Sequence, residues 1–223
     1  MKKGYSAVIF DLDGTLLNTL DDLADGVNYA MAVTGCPLRT TEEVRSFVGN
    51  GIRKLVERAL PSEKRTEETV TETLSVFTAY YGAHCADKTV PYRGISELIA
   101  DLKVRGILMS VLSNKDEGAT VALCRRFFGD AFAAVIGGRQ DLPKKPAADG
   151  ALSALRIMGV EKESVLYVGD SDVDIRTARN ALLDCAAVSW GFRPRSVLES
   201  LCPDYIADDV QALREIIEGG AMK

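Results

Sequence analysis

Residues 7–18 read AVIFDLDGTLLN, and the rest of the chain is organised around them. Ala7 to Phe10 are four consecutive apolar residues, too few for a helix face and too continuous for an alternating edge strand. They predict a strand buried on both faces. It runs into two carboxylates, Asp11 and Asp13, which on an extended backbone point the same way, and Gly14 beside them lets the chain turn away sharply. Carboxylates gathered at the end of a buried strand repel one another, so folding them there is favoured only when a cation or an incoming substrate relieves the charge. Taken alone, Asp-Leu-Asp-Gly reads equally well as a turn. Its company along the chain decides.

The chain has 223 residues, 47% of them hydrophobic, enough core for one large domain or two modest ones. A net charge of -5 and a pI near 5.1 leave no footprint for nucleic acid or an anionic membrane surface. The four apolar residues ahead of Asp11 make no signal-peptide core, and no membrane span follows, so no membrane partner is expected. Cys36, Cys85, Cys124, Cys185 and Cys202 are scattered without a CxxC pair, which reads as reduced thiols in a cytoplasmic protein. The single His84 is expected on a helix surface or at a helix end. With no zinc-type cluster, any catalysis rests on oxygen ligands and Lys, which favours magnesium over zinc.

From about Leu20 to about Ala86 the pattern predicts helices only. Leu20, Leu23, Val27 and Ala30 or Met31 recur at helical spacing, with Asp21 and Asp22 suiting the dipole of the first turn. Thr40 and Glu43 form a capping box. Gly49-Asn50-Gly51 precedes Ile52, Leu55, Val56, Ala59 and Leu60, a full helical template stopped by Pro61, and a further helix carries Val70, Leu74, Phe77 and Tyr81. From Tyr92 strand and helix alternate: strands over 107–112, 132–136, 164–168, 186–188 and 205–206, with helices over 95–102, 116–128, 147–158, 172–182 and 210–217 between and after them. Such alternation means a parallel sheet wrapped by helices. The fold expected is therefore α/β, a doubly wound, Rossmann-like core (1–18 and 91–223) with an α-helical insert (19–90) between its first strand and the remainder. An insert with two crossings can hinge and, closed over a charged site, exclude water.

Ligands of an open parallel sheet bind beyond the carboxyl ends of its strands. The first strand carries Asp11 and Asp13 there, the second Ser113 and Asn114, the loop after the third Lys144, Lys145 and Pro146, and the fourth GDSDVD, with Asp170 and Asp174. DLDGTLLN, SNK, KKP and GDSDVD stand in the order of the four motifs of the haloacid dehalogenase superfamily of aspartate-dependent phosphotransferases. The chain resembles that family along its whole length, in the subgroup with a helical cap after the first motif. Within the subgroup it is most similar to the phosphoglycolate phosphatases, through FVGNGIRKLVERAL.

The resemblance implies that Asp11 attacks phosphorus and that Asp13 protonates the leaving alcohol and then activates water. It implies Mg2+ held by the Asp11 carboxylate, the Asp13 main-chain carbonyl, Asp170, and Asp174 directly or through water. Ser113 and the backbone amides of Leu12 and Asn114 would bind phosphoryl oxygens, and Lys145 would offset the negative charge of site and substrate. Gly49, Asn50 and Gly51 would form a substrate-facing loop, with Arg53 as a carboxylate partner. Lys144, Lys115, Asp116, Glu117 and Asp172 are expected to be ordinary solvated side chains. The substrate implied is a small phosphate ester, 2-phosphoglycolate first. A sugar-phosphate mutase of the β-phosphoglucomutase kind shares every core residue and is the nearest alternative, with a pyrophosphatase of the same superfamily as another, whereas a dehalogenase lacks Asp13. A receiver-type signalling domain also takes phosphate on Asp but has no helical insert after its first strand. Oligomeric state is not legible in the chain. Two departures stand out: KKPAADG lacks the family's second proline, and Leu182 stands near where the fourth-motif helix should end.

Overall fold

The computed structural model describes residues 4–219. The chain divides into two compact units, one made of the residues up to Leu17 and from Pro91 onward, the other of Asn18–Val90. In chain order, β1 (Ala7–Phe10) and β2 (Leu17–Asn18) lead into α1 (Leu20–Val33), α2 (Thr41–Phe47), α3 (Ile52–Ala59) and α4 (Glu67–His84). Then β3 (Val90–Pro91), α5 (Ile95–Val104), β4 (Leu108–Asp116), α6 (Glu117–Phe128), β5 (Ala134–Gly138) and α7 (Asp149–Met158) follow. The chain goes on through β6 (Val165–Gly169), α8 (Asp172–Ala181), β7 (Asp184–Val188), α9 (Arg195–Ser200), β8 (Tyr205–Ala207) and α10 (Val210–Ile217). No helix among the described residues is long and apolar enough to cross a membrane.

The larger unit is built on a six-stranded sheet ordered β5-β4-β1-β6-β7-β8, every neighbouring pair parallel. β1 lies inside it, with Ala7 opposite Leu108 on one side and Val165 on the other. Hence all four of its residues are fully buried, each large side chain contributing about 1.5–3 kcal/mol of burial. On one face Ile9, Leu112, Ile136 and Tyr167 pack with Ala151, Ala154 and Leu155 of α7 and Ile175 and Ala178 of α8. The chain departs from β1 to β4 and β5 on one side and returns to β6 and β7 on the other. The carboxyl ends of β1, β4 and β6 thus meet at the switch of strand order, where an open sheet has its crevice.

Several boundaries differ from the periodicity. β4 does not stop at Leu112 but continues through Ser113, Asn114 and Lys115 to Asp116, with a register shift against β5 between Leu112 and Asp116. The polar side chains buried along this extension find partners, Asn114 on the Lys145 backbone and Lys115 on Asp13. β5 begins two residues later than expected, and α9 carries no apolar period over its six residues.

The helical unit follows the sequence closely. Leu20, Leu23, Val27, Ala30 and Met31 are all buried in α1, and the Thr40/Glu43 capping box is formed. α4 buries Thr73 with Val70, Phe77 and Tyr81, leaving Leu74 only partly covered, because the Phe77 and Tyr81 rings lie over Gly26 of α1. His84 is exposed at the end of α4, 2.8 Å from Asp87.

Asp22 does more than the sequence reading gave it. It stands in the first turn of α1 and is also a buried carboxylate that accepts hydrogen bonds from the Lys88 amide (2.9 Å), the Thr89 amide (2.8 Å) and the Thr89 hydroxyl (2.7 Å). It ties the last residues of the unit to its first helix. Asp22→Ala leaves those donors unmet at about 1–3 kcal/mol each, so the amides of Lys88 and Thr89 are expected to exchange hydrogen at least about tenfold faster. Unchanged protection would refute the tie.

Candidate active site

Strand β1 ends at Phe10, though the Asp11 amide still donates to the Val168 carbonyl (2.8 Å) and Asp13 makes an isolated β-bridge with Leu17. A tight turn follows. The Leu12 carbonyl accepts from the amides of Thr15, Leu16 and Leu17, and Gly14 adopts φ +88, a conformation that favours glycine. Each carboxylate then finds its own lysine: Asp11 Oδ1 lies 2.8 Å from Lys145 Nζ, and Asp13 Oδ1 lies 2.9 Å from Lys115 Nζ.

Lys145 is the hub. Its ammonium also reaches Asp174 Oδ1 at 2.7 Å, and Asp11, Asp170 and Asp174 offer carboxylate oxygens within 4.8 Å of one another, all three buried. Three acids against this one ammonium leave a formal excess of two negative charges when all are ionised. The consequence appears in the acids. Burial, then Asp174, push Asp11 well above the usual carboxylate range although Lys145 pulls it back, and burial with Asp174 lifts Asp170 to about 7. Burial opposes the charge on Lys145, but Asp11 and Asp174 outweigh it and hold the ammonium protonated.

The excess charge and the all-oxygen donor set fit a hard divalent cation. The three acids are not equivalent toward one. On Asp11, Lys145 and the Leu12 amide (2.7 Å) both meet Oδ1, and among the described residues no donor meets Oδ2. On Asp170, Oδ1 accepts from the Thr15 hydroxyl (3.1 Å) and Oδ2 from the Phe192 amide (2.7 Å), one donor per oxygen. Asp174 carries four donors: Lys145 Nζ and the Tyr167 hydroxyl on Oδ1, the Ser171 amide and hydroxyl on Oδ2. A carboxylate has about four lone-pair sites. Open capacity is therefore greatest on Asp11 and Asp170, while most of Asp174 is taken up by holding Lys145 and starting α8.

The SNK tripeptide assembles the rest. Ser113 Oγ accepts from the Lys115 amide (3.2 Å), which leaves its own hydrogen to be donated. The Asn114 side chain braces the lysine loop, donating to the Lys145 carbonyl (3.1 Å) and accepting from the Lys145 amide (2.9 Å), while Asn180 donates to the Pro146 carbonyl (2.8 Å). These bonds hold a loop that lacks the second proline. Lys144 is exposed as expected, and Leu182 ends α8 exposed at φ 57.

Lys115 is the residue that sequence reasoning misjudged. It is not solvated in a first helical turn: it is 6% exposed, inside β4, on Asp13. Asp116 caps α6 and Glu117 pairs with Arg139, while Asp172 meets Arg176 and Arg193. Thr15, Tyr167 and Phe192 were not anticipated either. In the helical unit, Gly49 and Gly51 have φ 121 and 83, Asn50 Oδ1 accepts from Arg58 (2.8 Å), and Arg53 pairs with Glu67 of its own unit (2.6 Å).

Asp11 and Asp13, each on its own lysine, and a buried cluster of three acids around Lys145 thus gather beyond the carboxyl ends of the strands, an arrangement suited to an anionic substrate and a cation. Comparison with known proteins agrees: the family described as haloacid dehalogenase-like hydrolase matches residues 8–188. The chain is 31% identical to a phosphoglycolate phosphatase of Chromobacterium violaceum over 98% of this chain and 99% of that one. It is 34% identical to another from Pseudomonas savastanoi pv. phaseolicola, over 95% and 78%. A crystal structure from Lactobacillus delbrueckii subsp. bulgaricus superposes with a TM-score of 0.92 at 35% identity, covering 96% of this chain and 98% of that one. CbbY from Rhodobacter sphaeroides, solved in complex with phosphate, gives 0.78 at 26%, over 92% and 94%. The chain belongs to the haloacid dehalogenase-like hydrolase family, as a phosphoric monoester hydrolase.

Lys115→Met strips the ammonium from a largely buried carboxylate and is expected to destabilise the protein by about 3 kcal/mol. Urea unfolding measures it. A loss under about 1 kcal/mol, the scale of an exposed pair, would show that solvent, not Lys115, stabilises Asp13.

Proposed function

We propose that this phosphatase hydrolyses 2-phosphoglycolate to glycolate and phosphate, with Mg2+, in the cytoplasm. The observation that carries the chemistry is Asp11, whose Oδ2 is open while Oδ1 is fixed by Lys145 and its own loop. The substrate rests on the relatives, several of them named phosphoglycolate phosphatases, at 31–34% identity. The five free cysteines suit a reducing compartment.

In this reading Asp11 attacks phosphorus as the bond to the ester oxygen breaks, and Asp13 gives its proton to the leaving alkoxide. Asp13 then takes a proton from water, whose oxygen attacks phosphorus, and Asp11 leaves as a free carboxylate. Ser113 donates to a phosphoryl oxygen. Lys145 keeps the cluster from repelling an anionic substrate, which matters because phosphoryl transfer depends mostly on positioning and charge stabilisation. Mg2+ would be held by Asp11, Asp170 and the Asp13 carbonyl, with Asp174 through water, and when bound it supplies the charge neutralisation that two nearby anions require. Leu12 and Asn114 contribute backbone amides to the phosphoryl group once Asp11 Oδ1 releases the Leu12 N–H. Selectivity for the organic part is assigned to Gly49, Asn50, Gly51 and Arg53, on the strength of the sequence resemblance.

Asp11→Asn is expected to abolish phosphate release with the fold retained, and turnover within about tenfold of the unchanged enzyme, roughly 1.4 kcal/mol, would remove Asp11 as nucleophile. Across 2-phosphoglycolate, hexose phosphates, pyrophosphate and an aryl phosphate, 2-phosphoglycolate should lead in kcat/KM by about a hundredfold. Isomerisation of a hexose phosphate instead would make the enzyme a mutase. Independently of turnover, saturating Mg2+ should raise the thermal midpoint, since a ligand at a hundred times its Kd stabilises by about 2.7 kcal/mol. A midpoint that ignores both Mg2+ and chelator would contradict the cation site.

A further inference from the structure

The loop after β7, Ser189 to Arg193, belongs to none of the four motifs, yet it closes on Asp170. The Phe192 amide donates to Asp170 Oδ2 at 2.7 Å. The Trp190 indole donates to the Thr15 carbonyl at 3.1 Å, and the Thr15 hydroxyl donates to Asp170 Oδ1. Ser189 anchors the loop to the end of β8 through the Ala207 carbonyl (3.0 Å) and the Asp208 carboxylate (2.7 Å). Asp170 therefore has one oxygen held from the β1 turn and the other from the β7 loop.

Between those two donors stand two glycines. A Cβ on Gly14 would lie 2.7 Å from Asp170 Cγ, and a Cβ on Gly191 would lie 2.5 Å from both its Cγ and its Oδ2, distances real side chains do not adopt. Gly14 also needs its positive φ, but Gly191 does not have one, so glycine is required at 191 for space alone. The carboxylate is gripped from two sides by backbone.

We propose that Gly191, with the loop that carries it, is a positioning residue for the cation: it fixes Asp170 so that the site selects a small ion with strict geometry. The inference rests on the cation site described above. Mg2+ demands near-ideal octahedral oxygens at about 2.0–2.1 Å, whereas Ca2+ accepts longer, irregular contacts at about 2.3–2.6 Å. An Asp170 that cannot shift serves the first requirement; one pushed aside by a methyl group serves the second better. Trp190 and Phe192 meet Thr15 and Asp170 directly, so through these two donors the loop acts on the cluster at this ligand.

The test is calorimetric titration of metal-free protein with Mg2+ and, separately, Ca2+. Gly191→Ala is expected to weaken Mg2+ at least about tenfold and Ca2+ distinctly less, shrinking the preference for Mg2+, a ratio that a general loss of stability does not change. Trp190→Phe, which keeps the ring and loses the N–H, should move the preference in the same direction by a smaller factor. Mg2+ affinity and preference equal to those of the unchanged protein would overturn the inference while leaving the cation site standing. Where Gly191→Ala does not fold, an unmoved preference in Trp190→Phe overturns it. If the unchanged protein binds neither ion, the cation-site reading falls, and this inference with it.

Discussion

Everything in the larger unit answers to one electrostatic constraint: a single ammonium, Lys145, held between Asp11 and Asp174 at 2.8 and 2.7 Å, with Asp170 nearby and all four groups buried. Burying ions costs several kcal/mol each even after relaxation, and is tolerable only when partners and hydrogen bonds are supplied in full. The surrounding structure supplies them. Leu12, Thr15, Tyr167, Ser171 and Phe192 all donate to the acids, and Asn114 clamps the backbone of the lysine itself. The strand ends that meet here are therefore tied by polar bonds as firmly as their middles are by apolar packing.

The arrangement divides labour among acids that look alike in sequence. Asp174 has the lowest exposure and the most donors, and acts as the fixed counter-charge; Asp11 retains an oxygen with no donor among the described residues; Asp13 is set apart on a different lysine. What distinguishes them is how many lone pairs the fold has already used. The oxygens the fold leaves without donors are the ones open to a ligand.

Much of this was legible in the chain because the patterns involved are local. The apolar run Ala7–Phe10, the periodicity of α1 and the capping box at Thr40 each carry their cause within a few residues, and so does the carboxylate-rich end of β6. What was not legible depends on partners far along the chain. Lys115 follows a strand and precedes a helix, so by local rules it is a solvated first-turn residue; only the meeting of β4 with the β1 turn, 102 residues away, buries it on Asp13. Asp22 is an ordinary first-turn acid until Thr89, 67 residues on, comes back to it. The role of Phe192 could not be inferred from residue type at all, since it acts through its amide. A glycine in such a loop, Gly191, was the one visible signal.

The short ribbon of β2 and β3 bears on how such a protein can change over time. Asn18 and Val90 mark the ends of a 73-residue insertion, and the strands at those ends pair with one another, reinforced by the Tyr92 amide on the Leu16 carbonyl. To the sheet, the whole helical unit is a loop whose two feet already stand together. The entropy of closing a loop grows only with the logarithm of its length, each doubling adding about 0.6 kcal/mol. A scaffold joined this way can exchange, lengthen or lose its insertion at little thermodynamic expense to the catalytic sheet, so lineages sharing one reaction centre are free to diversify what it acts upon.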